Sequence, residues 1–311
     1  GCLAFRHGCH RTGAPDAGIE WTHRLWRDLR ALLNHPRFPG RWFGYIGYEV
    51  CRVIEREKLP RPARRPTMGD WPIVELGWCP QWEQLDPRAA SAPPAEAAAA
   101  RPSSLQSDFT RGEYEAAVQR VIDYIAAGDV FQVNLAQRFV TDVERGPREL
   151  FARLAGASPA WYGAHVELPG GRALCSTSPE LFLEVTGRDL VTRPIKGTRP
   201  ADPAAAARLG RDPNCDELLH SEKDTAELNM IVDLLRNDLG KVCDYGSVRV
   251  VNPREIETHP TVHHGTATIA GRLHESKDIV SLLRATLPGG SITGAPKVRA
   301  MQIIDELERA D

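Results

Sequence analysis

Two tight turns constrain the fold of this chain more than any other feature of its sequence. Pro169-Gly170-Gly171 separates two strand-like runs, and Gly187-Arg188 separates residues 181–185 from residues 190–193. Connections this short join antiparallel neighbours, because parallel strands need a crossover of roughly a dozen residues or more. Consecutive hairpins among helical segments therefore predict an α+β fold, with antiparallel sheets and helices packed outside them.

Two helices can be predicted from their periodicity and their ends. Thr110 and Glu113 form a capping box at the start of a predicted helix over 111–127. A second helix is predicted over 221–240, where apolar residues recur at helical spacing until Gly240 ends the pattern.

One low-complexity stretch divides the chain into two regions. Alanine and proline dominate residues 86–108, which predicts a linker or surface loop. It separates an N-terminal region, residues 1–85, from residues 109–311, which hold all the segments that suggest chemistry.

Composition narrows the classes of partner. Lys and Arg total 39 against 41 Asp and Glu, so the net charge of -2 argues against a nucleic acid partner. No apolar run reaches the length of about 18 residues that predicts a membrane span. The seven cysteines are odd in number and form no Cys-x-x-Cys pair, which disfavours a disulfide framework and predicts a cytoplasmic location.

The second hairpin brings a carboxylate towards a lysine. Antiparallel pairing around Gly187-Arg188 places Glu180 opposite Ile195 or Lys196, and the register decides whether the two charged groups share a face. One interpretation is a cross-strand ion pair worth at most about 1 kcal/mol. The other is a nucleophilic lysine beside a proton donor, two groups that titrate as a coupled pair.

The neighbours of Lys196 favour the chemical interpretation. Arg193 and Arg199 flank it, and repulsion between like charges would favour the neutral amine that a nucleophile requires. Arginine stays charged at neutral pH, so it could not take this role.

The predicted helix over 221–240 carries two acids on its apolar face. Asp224 and Glu227 lie within roughly 60° of each other and share their sector with Leu228 and Ile231. Buried carboxylates need a cation, because an unpaired one costs several kcal/mol. A magnesium ion and an arginine both meet this need, and oxygen ligands favour Mg²⁺ over a transition metal.

A glycine-rich loop over 287–297 precedes another predicted helix. It is not a P-loop, because Ala295 stands where that motif requires lysine, so we interpret it as a substrate-facing or packing loop. His263-His264 carries less information, since a hydrogen-bonded core histidine is the more frequent case.

Several segments, in order from about residue 110, resemble those of the chorismate-utilising enzymes. They are residues 128–135, Ser178-Pro179-Glu180, Pro194-Ile195-Lys196-Gly197-Thr198, Ala226-Glu227 with Asn237-Asp238, and residues 290–297. The resemblance implies two stacked, mainly antiparallel β-sheets with helices packed outside. Within the family, Pro-Ile-Lys-Gly-Thr resembles component I of aminodeoxychorismate synthase, whereas anthranilate synthases usually have alanine at the lysine position.

The resemblance also implies roles for individual residues. Lys196 would add to C2 of chorismate while Glu180 protonates the departing C4 hydroxyl. Ammonia from a glutamine amidotransferase partner would then attack C4 and expel the lysine, giving 4-amino-4-deoxychorismate for 4-aminobenzoate and folate synthesis. The remaining implied contacts are to the substrate from Gly197, Thr198 and His264, and to Mg²⁺ from Glu227 with Asp224.

Two departures from the family pattern lead to further expectations. Gly265-Thr266-Ala267 stands where the family more often has leucine, an aliphatic residue and serine, which predicts a looser pocket. The chain ends at Asp311, directly after the helix that opens the family's C-terminal segment. We therefore expect a catalytic region truncated at the C-terminus, an incomplete N-terminal region, and an inactive isolated fragment. Two alternatives stay open: anthranilate synthase component I, and a non-catalytic truncated paralogue that only binds a partner.

Overall fold

The computed structural model describes residues 2–6, 9–13, 25–35, 40–59, 71–81 and 104–308. The fold is α+β, as predicted, and every strand pair in these ranges is antiparallel. No helix in the same ranges combines the length and the apolar character that crossing a membrane would require.

The N-terminal region contains a four-stranded sheet. Its elements are β1 (Cys2–Arg6), β2 (Cys9–Gly13), α1 (Leu25–Leu33), β3 (Arg41–Ile46), α2 (Cys51–Ile54) and β4 (Val74–Cys79). The strands lie in the order β2-β1-β4-β3.

Short strand pairs and two helices follow. They are β5 (Gln106–Ser107), α3 (Arg111–Ala126), β6 (Gln132–Val133), β7 (Phe139–Val140), α4 (Pro147–Ala157), β8 (Tyr162–Leu168) and β9 (Arg172–Ser178). Strand β5 pairs with β7, and β8 forms the first predicted hairpin with β9.

The largest sheet and the remaining helices complete the chain. They are β10 (Leu181–Thr186), β11 (Asp189–Arg193), β12 (Ile195–Pro200), α5 (Pro203–Leu209), α6 (Pro213–His220), α7 (Glu222–Gly240), β13 (Arg249–Thr258), β14 (Val262–Arg272), α8 (Ile279–Thr286), β15 (Gly294–Ala295) and α9 (Lys297–Leu307). The sheet order is β10-β11-β14-β12, and β13 also pairs with β14.

The main core lies between α7 and this sheet. Leu228, Ile231 and Leu235 on one face of α7 are buried together with Ala267 and Ile269 of β14. Full burial of a leucine or isoleucine side chain contributes about 1.5–3 kcal/mol. The apolar stripe predicted for residues 221–240 therefore fixes α7, and with it the two acids, against the sheet.

The N-terminal region packs on the last helices of the chain. Leu29 and Leu32 of α1 share a buried cluster with Val280 of α8. Met301 of α9 is buried with Cys51 and Leu59. These contacts connect the first sheet to the segment that contains the glycine-rich loop.

The two predicted helices are confirmed. Helix α3 starts at its capping box on Thr110 and ends at Ala126, as expected. Helix α7 ends at Gly240, also as expected, and Lys241 follows in right-handed conformation. Residues 86–103 of the predicted linker lie outside the described residues, and the remainder contains strand β5 rather than only loop. Free thiols are found at Cys51, Cys79, Cys175, Cys215 and Cys243.

Candidate active site

A β-bulge in β12 places Lys196 outside the regular ladder. Ile195 and Thr198 both keep partners on β14, but β12 has one residue more than β14 between them. Gly197 lies in this bulge with φ of 83°, a left-handed conformation that costs other residues about 1–2 kcal/mol. A Cβ atom there would lie 2.7 Å from Cδ1 of Leu218, so any side chain at this position would be crowded as well as strained.

Gly265 explains one departure from the family pattern. A Cβ atom at Gly265 would lie 2.6 Å from the carbonyl oxygen of Lys196. The space that a side chain would need is therefore filled by the backbone of the bulge. The prediction of a looser pocket is wrong at this position, because the missing side chain permits close approach rather than leaving a gap.

The Lys196 amine lies in a mostly buried polar group. Its side chain is 12% exposed, and Nζ lies 3.6 Å from Oε1 of Glu227. Nζ also donates a long hydrogen bond, 3.5 Å, to the carbonyl oxygen of Ser291. The lysine thus connects β12 with α7 and the glycine-rich loop.

The two arginines that flank the lysine are paired with carboxylates. Arg193 pairs with Glu255 and Glu257, and Arg199 pairs with Glu217 and Asp224. Their charges are compensated by residues from other elements, so the expected repulsion on Lys196 has no basis in this structure.

Glu180 lies just before β10, close to Lys196 but not at the predicted register. An extra residue in β10 makes Leu181 pair with Arg193. Glu180 consequently falls opposite Pro194, not opposite Ile195 or Lys196. The two bulges, in β10 and in β12, decide how the two charged groups meet.

The surroundings of Glu180 favour a protonated carboxyl. Burial raises its pKa above the ordinary value of 4.5, and three weaker influences oppose burial. In decreasing order, they are the hydroxyl of Ser291, the charge of Lys196 and the backbone N–H of Ile195. A carboxyl that keeps its proton to higher pH is suited to act as a general acid.

The two acids of α7 have different partners. The Glu227 Oε1 atom accepts a hydrogen bond of 2.9 Å from Nε2 of Gln132 and faces Lys196. Asp224 is buried, and its Oδ2 accepts a 3.1 Å hydrogen bond from Nη2 of Arg199. For Asp224, the arginine alternative is the one observed in this structure.

Glu227 fits a magnesium site better than Asp224 does. Its side chain is 31% exposed, and carboxylate oxygen is a preferred ligand of Mg²⁺. The Asp224 carboxylate is already neutralised by Arg199. Among the described residues, no three His, Cys, Asp or Glu side chains are grouped to hold a metal ion. Glu227 also faces the Lys196 amine, so ligation of Mg²⁺ by Glu227 with Asp224 stays a prediction.

A histidine and a threonine form the next part of the site. Oγ1 of Thr198 and Nδ1 of His264 share a hydrogen bond of 2.9 Å across β12 and β14. Burial lowers the pKa of His264, and the charges of His259 and His263 lower it further, so the ring is neutral near pH 7. His263 is a hydrogen-bonded core histidine, buried with Nε2 2.8 Å from Asp212.

A short ladder joins two of the family-like segments beside the lysine. Strand β6 pairs with β15, and a Cβ atom at Gly294 would lie 2.1 Å from the Gln132 carbonyl oxygen. The side chain of Asn134 donates a hydrogen bond to the carbonyl of Ser291. The sequence prediction assigned no role to Gln132, Asn134 or Ser291, although each lies in a segment that carries the resemblance.

Comparison with known proteins identifies the family. The family described as chorismate binding enzyme matches residues 14–311. The chain belongs to this family. It is 39% identical to aminodeoxychorismate synthase component 1 of Salmonella typhimurium, over 92% of this chain and 67% of that protein. It is 43% identical to anthranilate synthase component 1 of Thermus thermophilus, over 92% of this chain and 66% of that protein.

The chain therefore spans about two thirds of the length of such relatives, as it also does for the Klebsiella aerogenes aminodeoxychorismate synthase component 1, where it covers 64%. A solved structure, anthranilate synthase component I of Streptococcus pneumoniae, matches with a TM-score of 0.77 and 25% identity, over 99% of this chain and 74% of that one. The menaquinone-specific isochorismate synthase of Escherichia coli shares the fold alone, with a TM-score of 0.54 and 19% identity over 67% of this chain and 47% of that one.

Proposed function

We propose that this protein is the aminating component of an aminodeoxychorismate synthase, which converts chorismate and ammonia to 4-amino-4-deoxychorismate and water. The supporting observation is the position of Lys196, carried by a glycine bulge into a polar group that includes Glu227 and adjoins Glu180. Curated relatives named aminodeoxychorismate synthase component 1 add support.

The first step forms a covalent intermediate. With the proton of the coupled pair on Glu180, the neutral amine of Lys196 attacks C2 of the chorismate ring, the ring double bond shifts, and the C4–O bond breaks. Glu180 gives its proton to the departing oxygen, which leaves as water. Thr198 and His264 would orient the substrate, because their shared hydrogen bond fixes both side chains beside the bulge.

The second step reverses the first with ammonia in place of water. Ammonia attacks C4, the ring double bond shifts back, and the C2–N bond to Lys196 breaks with its electron pair returning to the amine. The Glu180 carboxylate takes the proton that the new C4–N group loses, which restores the starting enzyme. A glutamine amidotransferase subunit would supply the ammonia, and the product would serve 4-aminobenzoate and folate synthesis in the cytoplasm.

A magnesium ion is part of the proposal. Bound through Glu227, and through Asp224 if Arg199 releases it, Mg²⁺ would supply positive charge for a substrate carboxylate.

Replacement of the lysine tests the assignment. Purified full-length protein receives chorismate, Mg²⁺ and ammonium, and products are identified by chromatography and mass spectrometry. We expect Lys196→Ala to abolish 4-amino-4-deoxychorismate formation, while Lys277→Ala, an exposed lysine on another part of the surface, retains it. Undiminished product from Lys196→Ala would exclude lysine as the nucleophile.

Anthranilate synthase component I is the second candidate, favoured by the 43% identity to the Thermus thermophilus enzyme. It predicts a fluorescent aromatic product and release of pyruvate from the same incubation. Anthranilate with stoichiometric pyruvate would support this function instead, and product without pyruvate would support the first.

A further inference from the structure

A buried hydroxyl without a hydrogen bond of regular geometry lies next to the candidate proton donor. Oγ of Ser291 is buried and makes no hydrogen bond of regular geometry. The carbonyl of the same residue is engaged, because it accepts hydrogen bonds from Asn134 and from Lys196. Phe182, two residues after Glu180, packs on the same loop. The backbone of Ser291 is thus held in place, with its hydroxyl beside the Glu180 carboxyl.

A buried hydroxyl without a well-formed hydrogen bond costs stability, since it has lost its hydrogen bonds to water. The carboxyl affected by this hydroxyl is that of Glu180, whose charged form it favours. A charged group also faces Glu180, namely Lys196 on β12, which is itself paired with Glu227 on α7.

We propose that Ser291 is a positioning residue whose hydroxyl donates a hydrogen bond to the Glu180 carboxylate as Glu180 gives up its proton. The inference rests on the proposed function. The proton moves from Glu180 to the departing C4 oxygen, the C4–O bond breaks, and the carboxylate left behind accepts the bond from Ser291.

The timing of this hydrogen bond is the reason for its effect. Protonated Glu180 is a weak acceptor, whereas the carboxylate is a strong one, and hydrogen bonds to charged groups are roughly twice as strong as neutral ones. An interaction that strengthens during the step lowers its barrier. The unsatisfied hydroxyl of the resting protein is therefore preorganised for the state that follows proton transfer.

Removal of the hydroxyl has kinetic and structural consequences of opposite sign. We expect Ser291→Ala to lower kcat with chorismate about tenfold, the equivalent of one charged hydrogen bond, with little change in KM. In the pH dependence of kcat, the alkaline limb, where activity falls as Glu180 loses its proton, moves to higher pH because the pKa of Glu180 rises. At a pH at which Glu180 is protonated, the denaturation midpoint stays equal or increases, because the poorly bonded hydroxyl is gone.

Two further variants separate this role from packing of the loop. Ser291→Thr keeps a hydroxyl, and we expect it to keep the position of the alkaline limb. Thr293→Val removes a buried hydroxyl of the same loop that donates to the carbonyls of Gly289 and Gly290. It should lower stability without moving the limb. A limb displaced equally by Ser291→Ala and Thr293→Val would overturn the proposal.

A readout without substrate keeps the inference separate from the proposed function. The folded pKa of Glu180 exceeds 4.5, so this group makes the protein less stable as pH rises from 4.5 through the folded pKa. Ser291→Ala raises that pKa further, so stability is lost over a wider pH range. In a Glu180→Gln background, the proteins with and without the Ser291 hydroxyl should show the same pH dependence of stability. With Glu180 present, the same pH dependence of the unfolding free energy with and without the hydroxyl would refute the inference. Absence of chorismate turnover by the parent would refute only the function.

Discussion

The bulge glycine offers the sharpest test of how the fold presents the lysine. In Gly197→Ala, the new Cβ atom would lie 2.7 Å from Cδ1 of Leu218 and 2.9 Å from Cβ and Cγ of Asp224. Two costs therefore add. The left-handed backbone at φ 83° costs alanine about 1–2 kcal/mol, and overpacking adds about 1–3 kcal/mol.

A matched control isolates the steric cost. Gly187 has φ of 64°, and a Cβ atom there would meet no atom within 4 Å. Gly187→Ala should cost only the backbone part, about 1–2 kcal/mol. The difference in unfolding free energy between the two variants, measured by urea denaturation, should be about 1–3 kcal/mol.

The same two variants test whether the bulge at Gly197 is needed for catalysis. Displacement of Lys196 by Gly197→Ala should lower turnover about 100-fold, because small misplacements of a reacting group have effects of that size. Gly187→Ala should leave turnover unchanged. Equal stabilities and equal turnover in the two variants would show that the bulge does not position the lysine.

Three further predictions concern groups around the site. Asp238→Ala should destabilise the protein by about 3–5 kcal/mol in thermal or urea denaturation, because it leaves the mostly buried Lys297 ammonium without its carboxylate; a loss below 1 kcal/mol would contradict this. The hydrogen bond with His263, together with backbone hydrogen bonds from Asp202 and Asn214, lowers the pKa of Asp212 from 3.8 to about 2, so the stability from this carboxylate is present above pH 3.8 and lost as pH falls towards 2. Asp212→Asn should flatten that decline in an acid denaturation series, and an unchanged acid limb would refute the assignment. Gly265→Ala should lower turnover because its Cβ would press on the carbonyl of the bulge, and activity equal to the parent would contradict that close approach.

The hairpins and the capped helix α3 follow from short-range patterns in the sequence, which is why they could be predicted. The proximity of Glu180 to Lys196 follows from the Gly187-Arg188 hairpin, so this too was accessible. The register was not, because bulges in β10 and β12 each add one residue to a strand. Such a bulge depends on contacts distant in sequence, as the closeness of Gly197 to Leu218 illustrates.

The sequence also could not predict which side chains, distant along the chain, pair with each other. The periodicity of residues 221–240 predicts that Asp224 and Glu227 need cations, but it cannot say which cation each receives. In the fold, Arg199 reaches Asp224, while Lys196 and Gln132 reach Glu227. The hydroxyl of Ser291 was equally unpredictable, since only the packed loop shows that it is buried without a hydrogen bond of regular geometry.

The covalent adduct on the lysine is the most direct test of the proposed chemistry. Protein is incubated with chorismate and Mg²⁺ without ammonia, quenched in acid, digested and analysed by peptide mass spectrometry. We predict that the peptide containing Lys196 gains the mass of chorismate less one water, and that added ammonium removes the modification as 4-amino-4-deoxychorismate appears. An unmodified Lys196 peptide from protein that forms this product when ammonium is supplied would contradict the account.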